Sequence, residues 1–114
     1  LVEKVFHPAL PSCPGHEKWK RDFSGSSSLF SFLFNQNVGE EKVKRFLNSL
    51  NLFHIGLSWG GVNSLAILYP DLDRPKKDFS GRLIRLNIGL EDTMELIKDL
   101  ASAFAKISDT EKGA

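Results

Sequence analysis

Cysteine occurs once in these 114 residues, at Cys13. That excludes an internal disulfide and any cysteine-built metal cluster. An excess of charge of one sign is also missing, with 15 basic against 14 acidic residues and a net charge of +1. The two signs are interspersed, so no basic stripe exists to grip nucleic acid or an anionic membrane surface. No apolar run approaches the ~18–20 residues a helix needs to span a bilayer. Neither nucleic acid nor membrane is therefore an expected partner, and a cytoplasmic setting is the expectation. Methionine, too, occurs once, at Met94, while the chain opens Leu1-Val2-Glu3. The expectation is that these residues belong to a longer polypeptide.

What is present is an ordinary globular composition, 41% hydrophobic and 25% charged, enough for one domain with its own core. Val2 to Phe6 reads as a short strand stopped by His7-Pro8, and His16 to Asp22 as a two-turn helix after Pro14-Gly15. From Ser28 to Phe34 the pattern alternates, with Phe30, Phe32 and Phe34 on one face, which predicts a strand. Asn37 is the expected N-cap of the next helix, with Glu40 completing a capping box. That helix carries an apolar stripe of Val43, Phe46, Leu47 and Leu50. Leu52 to Leu57 is an expected strand, and Ser64 to Leu68 reads as either strand or helix. Asp71 to Gly81 is a loop carrying Arg74-Pro75-Lys76-Lys77. Leu83 to Ile88 is a strand. Asp92, with Glu95, caps a last helix whose expected stripe is Leu96, Ile97, Leu100, Phe104 and Ile107. The tail from Ser108 is expected to fray. Strands and amphipathic helices mixed in so short a chain imply an α+β two-layer sandwich, a small mostly antiparallel sheet with helices on one face.

Arg85 is the most informative residue. Alternation puts Ile84, Leu86 and Ile88 toward the helices and Leu83, Arg85 and Asn87 on the other face. A guanidinium in mid-strand must meet water or an anion, since an unpaired buried charge is prohibitive. It either sits solvated or anchors a carboxylate, for which its planar fork is suited. Trp59, in Leu57-Ser58-Trp59-Gly60-Gly61, either plugs the end of a core or lines a site. His7, His16 and His54 lack metal-ligand spacing, and His54 reads as a core or interface residue. Ser58 has no His–Asp pair to activate it and no nucleophile elbow around it. No lysine falls in an apolar stretch that would lower its pKa for Schiff-base chemistry. These residues contain no catalytic set.

Four ordered motifs nevertheless resemble a known family. They are His16-Glu17 with Lys20-Arg21-Asp22-Phe23-Ser24-Gly25, Leu29-Phe30-Ser31-Phe32, Leu57 to Leu65, and Leu83-Ile84-Arg85-Leu86-Asn87-Ile88-Gly89-Leu90-Glu91-Asp92. In this order they look like the C-terminus of the Cys/Met-metabolism family of pyridoxal-phosphate enzymes, of fold type I. The resemblance covers nearly the whole chain and is closest to the family's bacterial β-lyase branch. It implies that residues 1–114 are the small C-terminal domain, packed beside a large cofactor-binding domain absent from this chain. The position of Arg85 then implies a holder of the substrate's α-carboxylate, with Ser58 and Trp59 at the active-site wall. The resemblance also implies that pyridoxal phosphate, its lysine and the groups that hold it belong to the absent domain. This chain alone is therefore expected to bind no cofactor and to be inactive, with no catalytic residue of its own.

For the full-length parent the implied activity is carbon–sulfur β-elimination in methionine biosynthesis, cleaving cystathionine to homocysteine, pyruvate and ammonia. A homotetramer is the implied assembly, with an amino acid as substrate. Members acting at the γ-carbon usually carry an acidic residue before the serine and a leucine after it. Leu57 and Trp59 at those positions favour the β-lyase over a γ-lyase or γ-synthase, and make Leu57 a specificity position. Asn63 departs from the family's usual glutamate. The alternative from another class is a stand-alone binding module without enzymatic activity.

Overall fold

The computed structural model describes residues 1–58, 60–69 and 81–112, with side chains described as far as Ser108. Trp59 and all but the last residue of the expected Asp71–Gly81 loop lie outside the described residues. In chain order the elements are β1 (Val2–Phe6), α1 (His16–Asp22), β2 (Leu29–Phe34), α2 (Glu40–Ser49), β3 (His54–Ile55), β4 (Leu65–Tyr69), β5 (Leu83–Asn87) and α3 (Thr93–Lys112). The strands form a five-stranded sheet in the order β1-β2-β5-β4-β3. Every neighbouring pair is antiparallel except β3 and β4, which run parallel. Helices α2 and α3 cover one face, so the expected α+β sandwich is the observed one.

The core forms where periods of two and of 3.6 meet. Phe32 and Phe34 of β2 are buried against Phe46 of α2, with ring centroids 5.9 and 5.3 Å apart. Phe104 of α3 closes the cluster 4.6 Å from Phe46. Ala66, Ile84 and Leu86 floor it from β4 and β5. The opposite face is not uniformly wet, because Leu33, paired with Leu83, is also buried. Helix α1 has no buried residue and is tethered instead by Trp19, whose Nε1 donates to the Gly25 carbonyl at 2.9 Å.

Several local expectations are overturned, each for a physical reason. The N-cap of α2 is Gly39, not Asn37, and its carbonyl accepts from Lys42 and Val43 N–H at 3.0 and 3.2 Å. The expected strand Leu52–Leu57 shrinks to His54–Ile55. The N–H groups of Asn51, Leu52 and Phe53 donate to the Asp99 carboxylate of α3, at 2.8, 2.7 and 3.3 Å, rather than to a ladder. His54 is exposed on this edge strand rather than in the core. The ambiguous segment after the glycines is a strand, because β5 takes a second antiparallel partner there.

Asp92 does cap α3, accepting from the Glu95 N–H at 3.2 Å. Its buried stripe runs through Leu96, Ala103 and Ile107, while Ile97 is 51% exposed. One residue on from Leu96 is about 100° around the helix, which carries Ile97 off the core face. Helix α3 extends to Lys112, past Ser108 where the tail was expected to begin, and Ile107 is fully buried.

Candidate substrate-carboxylate site

β5 lies between β2 and β4, so its side chains have neighbours on both sides. Arg85 pairs with Ser31 and Ile67. It points away from the face on which Ile84 and Leu86 are buried, as alternation requires. There it is half-buried, with its guanidinium 5.8 Å from the centre of the Tyr69 ring. Its Nη2 donates to the carbonyl of Leu57. That carbonyl belongs to the peptide joining Leu57 to Ser58, so the guanidinium is bonded to the backbone that leads into Ser58. Ser58 and Leu57 are both exposed, Leu57 by 66%.

The segment 60–64, which follows these residues, is held from beneath. Asn87, fully buried two positions along β5 from Arg85, accepts at Oδ1 from the Gly60 N–H at 3.0 Å and from the Ser28 hydroxyl at 2.9 Å. Gly60 has φ 77°, a conformation that favours glycine. At the far end Ser64 is buried. Its N–H and hydroxyl donate to the two oxygens of Glu91 at 2.9 and 2.7 Å, and its Oγ accepts from Gly89 N–H at 2.8 Å. A Cβ on Gly89 would sit 2.2 Å from the Val62 carbonyl, so only glycine permits this approach. The Ser64 amide and then its hydroxyl hold the Glu91 carboxyl below its ordinary value, with a smaller contribution from nearby His54.

The arrangement presents a planar cation, of a type suited to pairing with a carboxylate, bonded to the backbone that leads into the exposed Ser58. Among the described residues no group of His, Cys, Asp and Glu could hold a metal, and none of the described lysines is buried. Of the residues singled out in the sequence, Arg85 is bonded to Leu57, with Ser58 next in the chain, whereas Trp59 lies outside the described residues. The sequence reading placed Asn87 on the face of Arg85 but gave it no role, and it gave none to Ser64, Glu91 or Tyr69. For the Ser64–Glu91 pair, 27 residues apart, no signal existed.

Comparison with known proteins defines the class. The sequence profile of the Cys/Met metabolism PLP-dependent enzymes matches residues 1–105, and the chain belongs to that family. Cystathionine beta-lyase MetC of Escherichia coli (strain K12) is 49% identical over 112 residues, covering 93% of this chain and 28% of that enzyme. Cystathionine beta-lyase of Haemophilus influenzae is 47% identical over 113 residues, covering 94% and 28%. Among solved structures, apo CalE6, a methionine gamma lyase from Micromonospora echinospora, superposes with a TM-score of 0.74 at 34% identity, covering 90% of this chain and 27% of that one. The chain thus spans little more than a quarter of the length of these relatives.

The family's cofactor is pyridoxal phosphate. Among the described side chains no lysine is buried in an apolar setting of the kind that lowers an amine's pKa for Schiff-base attachment.

Proposed function

We propose that this chain is the C-terminal domain of a pyridoxal-phosphate-dependent carbon–sulfur β-lyase and supplies the anchor for the substrate's α-carboxylate. The observation that carries the reading is Arg85 on the helix-free face, bonded to the carbonyl that precedes Ser58. A charge-assisted, forked pair with a carboxylate fixes both the position and the rotation of an amino acid. That orientation holds the Cα–H bond where a reaction assembled elsewhere can use it, which is a positioning contribution. The cofactor, when bound, supplies the electron sink for loss of the α-proton and departure of the β-sulfur. The cofactor and its lysine belong to the larger part of the parent, so the 114 residues alone turn nothing over.

The surface around the site supports a partner within the same polypeptide. Leu90 is 81% exposed, and Ile55, Leu57, Val62 and Met94 are exposed with it. The Leu90 N–H donates to the Val62 carbonyl at 2.8 Å, which brings these two together just past the C-terminal end of β5. Large apolar side chains left exposed in this way suit a surface that another domain covers.

The proposed reaction turns cystathionine and water into homocysteine, pyruvate and ammonia. A leucine at position 57 and the two β-lyase relatives favour it, while the methionine gamma lyase neighbour keeps γ-elimination as the rival. Incubating the full-length enzyme with cystathionine and identifying the 2-oxo acid separates them. Pyruvate is expected, and 2-oxobutyrate as the main product would overturn the β-lyase assignment.

A further inference from the structure

The loop 56–64 meets β5 at two points that bracket Ser58. Arg85 holds the Leu57 carbonyl, and Asn87 holds the Gly60 N–H three residues later. Both side chains rise from the same face of one strand, so their spacing is set by the pleat rather than by the loop. Asn87 is 1% exposed, and its Oδ1 also receives the Ser28 hydroxyl while its Nδ2 reaches the Asn63 carbonyl at 3.5 Å. Ser28 precedes β2, and its carbonyl accepts from the Ile88 N–H at 2.9 Å, which fixes the orientation of the amide from the neighbouring strand. A buried amide with its hydrogen bonds satisfied has one low-energy orientation.

Without Asn87, Gly60 at φ 77° lies next to a second glycine in a segment with little intrinsic stiffness. The Leu57 carbonyl would then be fixed only by the mobile end of an arginine. We propose that Asn87 is a positioning residue for carboxylate recognition: it locks the 56–64 loop so that Ser58 and the Arg85 guanidinium face the substrate in one arrangement. The inference rests on the reading of Arg85 as the carboxylate anchor.

The test uses the full-length enzyme loaded with its cofactor. Asn87→Ala should raise KM for the amino-acid substrate about 5- to 50-fold, as expected for losing the bonds to Gly60, Ser28 and Asn63, and leave kcat within about 3-fold. Because the loop it holds serves the same carboxylate as Arg85, the effects of Asn87→Ala and Arg85→Ala on kcat/KM should be less than additive. A purely structural role would lower the amount of folded enzyme without this split or this non-additivity. Should Asn87→Ala not fold, Ser28→Ala removes one of the two bonds to the same oxygen and should raise KM about 2- to 5-fold. An unchanged KM in the variant that folds, or full additivity with Arg85→Ala, overturns the inference while leaving the carboxylate anchor intact. If Arg85→Ala by itself leaves kcat/KM unchanged, the reading beneath it fails instead.

Discussion

Ser64 and Glu91 show how much of this site depends on single polar groups with no sequence signature. The Glu91 carboxylate receives both the amide and the hydroxyl of a buried serine, and its pKa is lowered from the ordinary 4.5 by those bonds. A lowered folded pKa means that the ionised form stabilises the native state. That contribution is complete above 4.5 and is lost as pH falls through the lower, folded value. Glu91→Gln should therefore unfold at a lower temperature than the unsubstituted chain near neutral pH, with the difference closing as the pH falls through the lowered, folded value. A difference that stays constant into acid would show that Glu91 acts by shape and not by charge. Arg85 was legible because alternation alone sends it to the helix-free face. Glu91 was not, since its partner lies 27 residues away and is brought near only by the close approach of Gly89 to Val62.

At the scale of elements, helices and strands with strong periodicity were readable and their ends were not. The three phenylalanines of β2 and the α2 stripe announce the core through spacing alone. The segment 52–57 carries equally apolar residues yet forms only two residues of strand, because three successive N–H groups are claimed by Asp99. That acid stands in the middle of the apolar stripe of α3, 6% exposed, where spacing would place a hydrophobe. It ties α3 to the turn after α2 and so sets where β3 can begin. Asp99→Ala should cost about 1.5–3 kcal/mol, since buried N–H donors lose an ionised acceptor. A shift of the urea midpoint at unchanged slope would register it. An unmoved midpoint would mean that water serves those donors equally well.

Over the whole molecule, the two-layer architecture follows from pattern, but the purpose of the uncovered side does not. Arg85 lies on the helix-free face, bonded to the backbone that leads into Ser58, and Leu90 is one of several exposed apolar residues, while among the described side chains no lysine is buried. The relatives supply the scale, being more than three times longer than this chain. The proposed division of labour makes substrate binding and cofactor binding separable by substitution. The direct measurement is Arg85→Ala in the full-length enzyme, recording kcat/KM and the visible absorbance of the bound cofactor in parallel. Loss of one charge-assisted pair predicts a fall in kcat/KM of about 10- to 150-fold, equivalent to about 1.5–3 kcal/mol, with the absorbance unchanged. An unaltered kcat/KM, or a variant that loses its cofactor, would contradict the assignment of this face to the substrate's carboxylate.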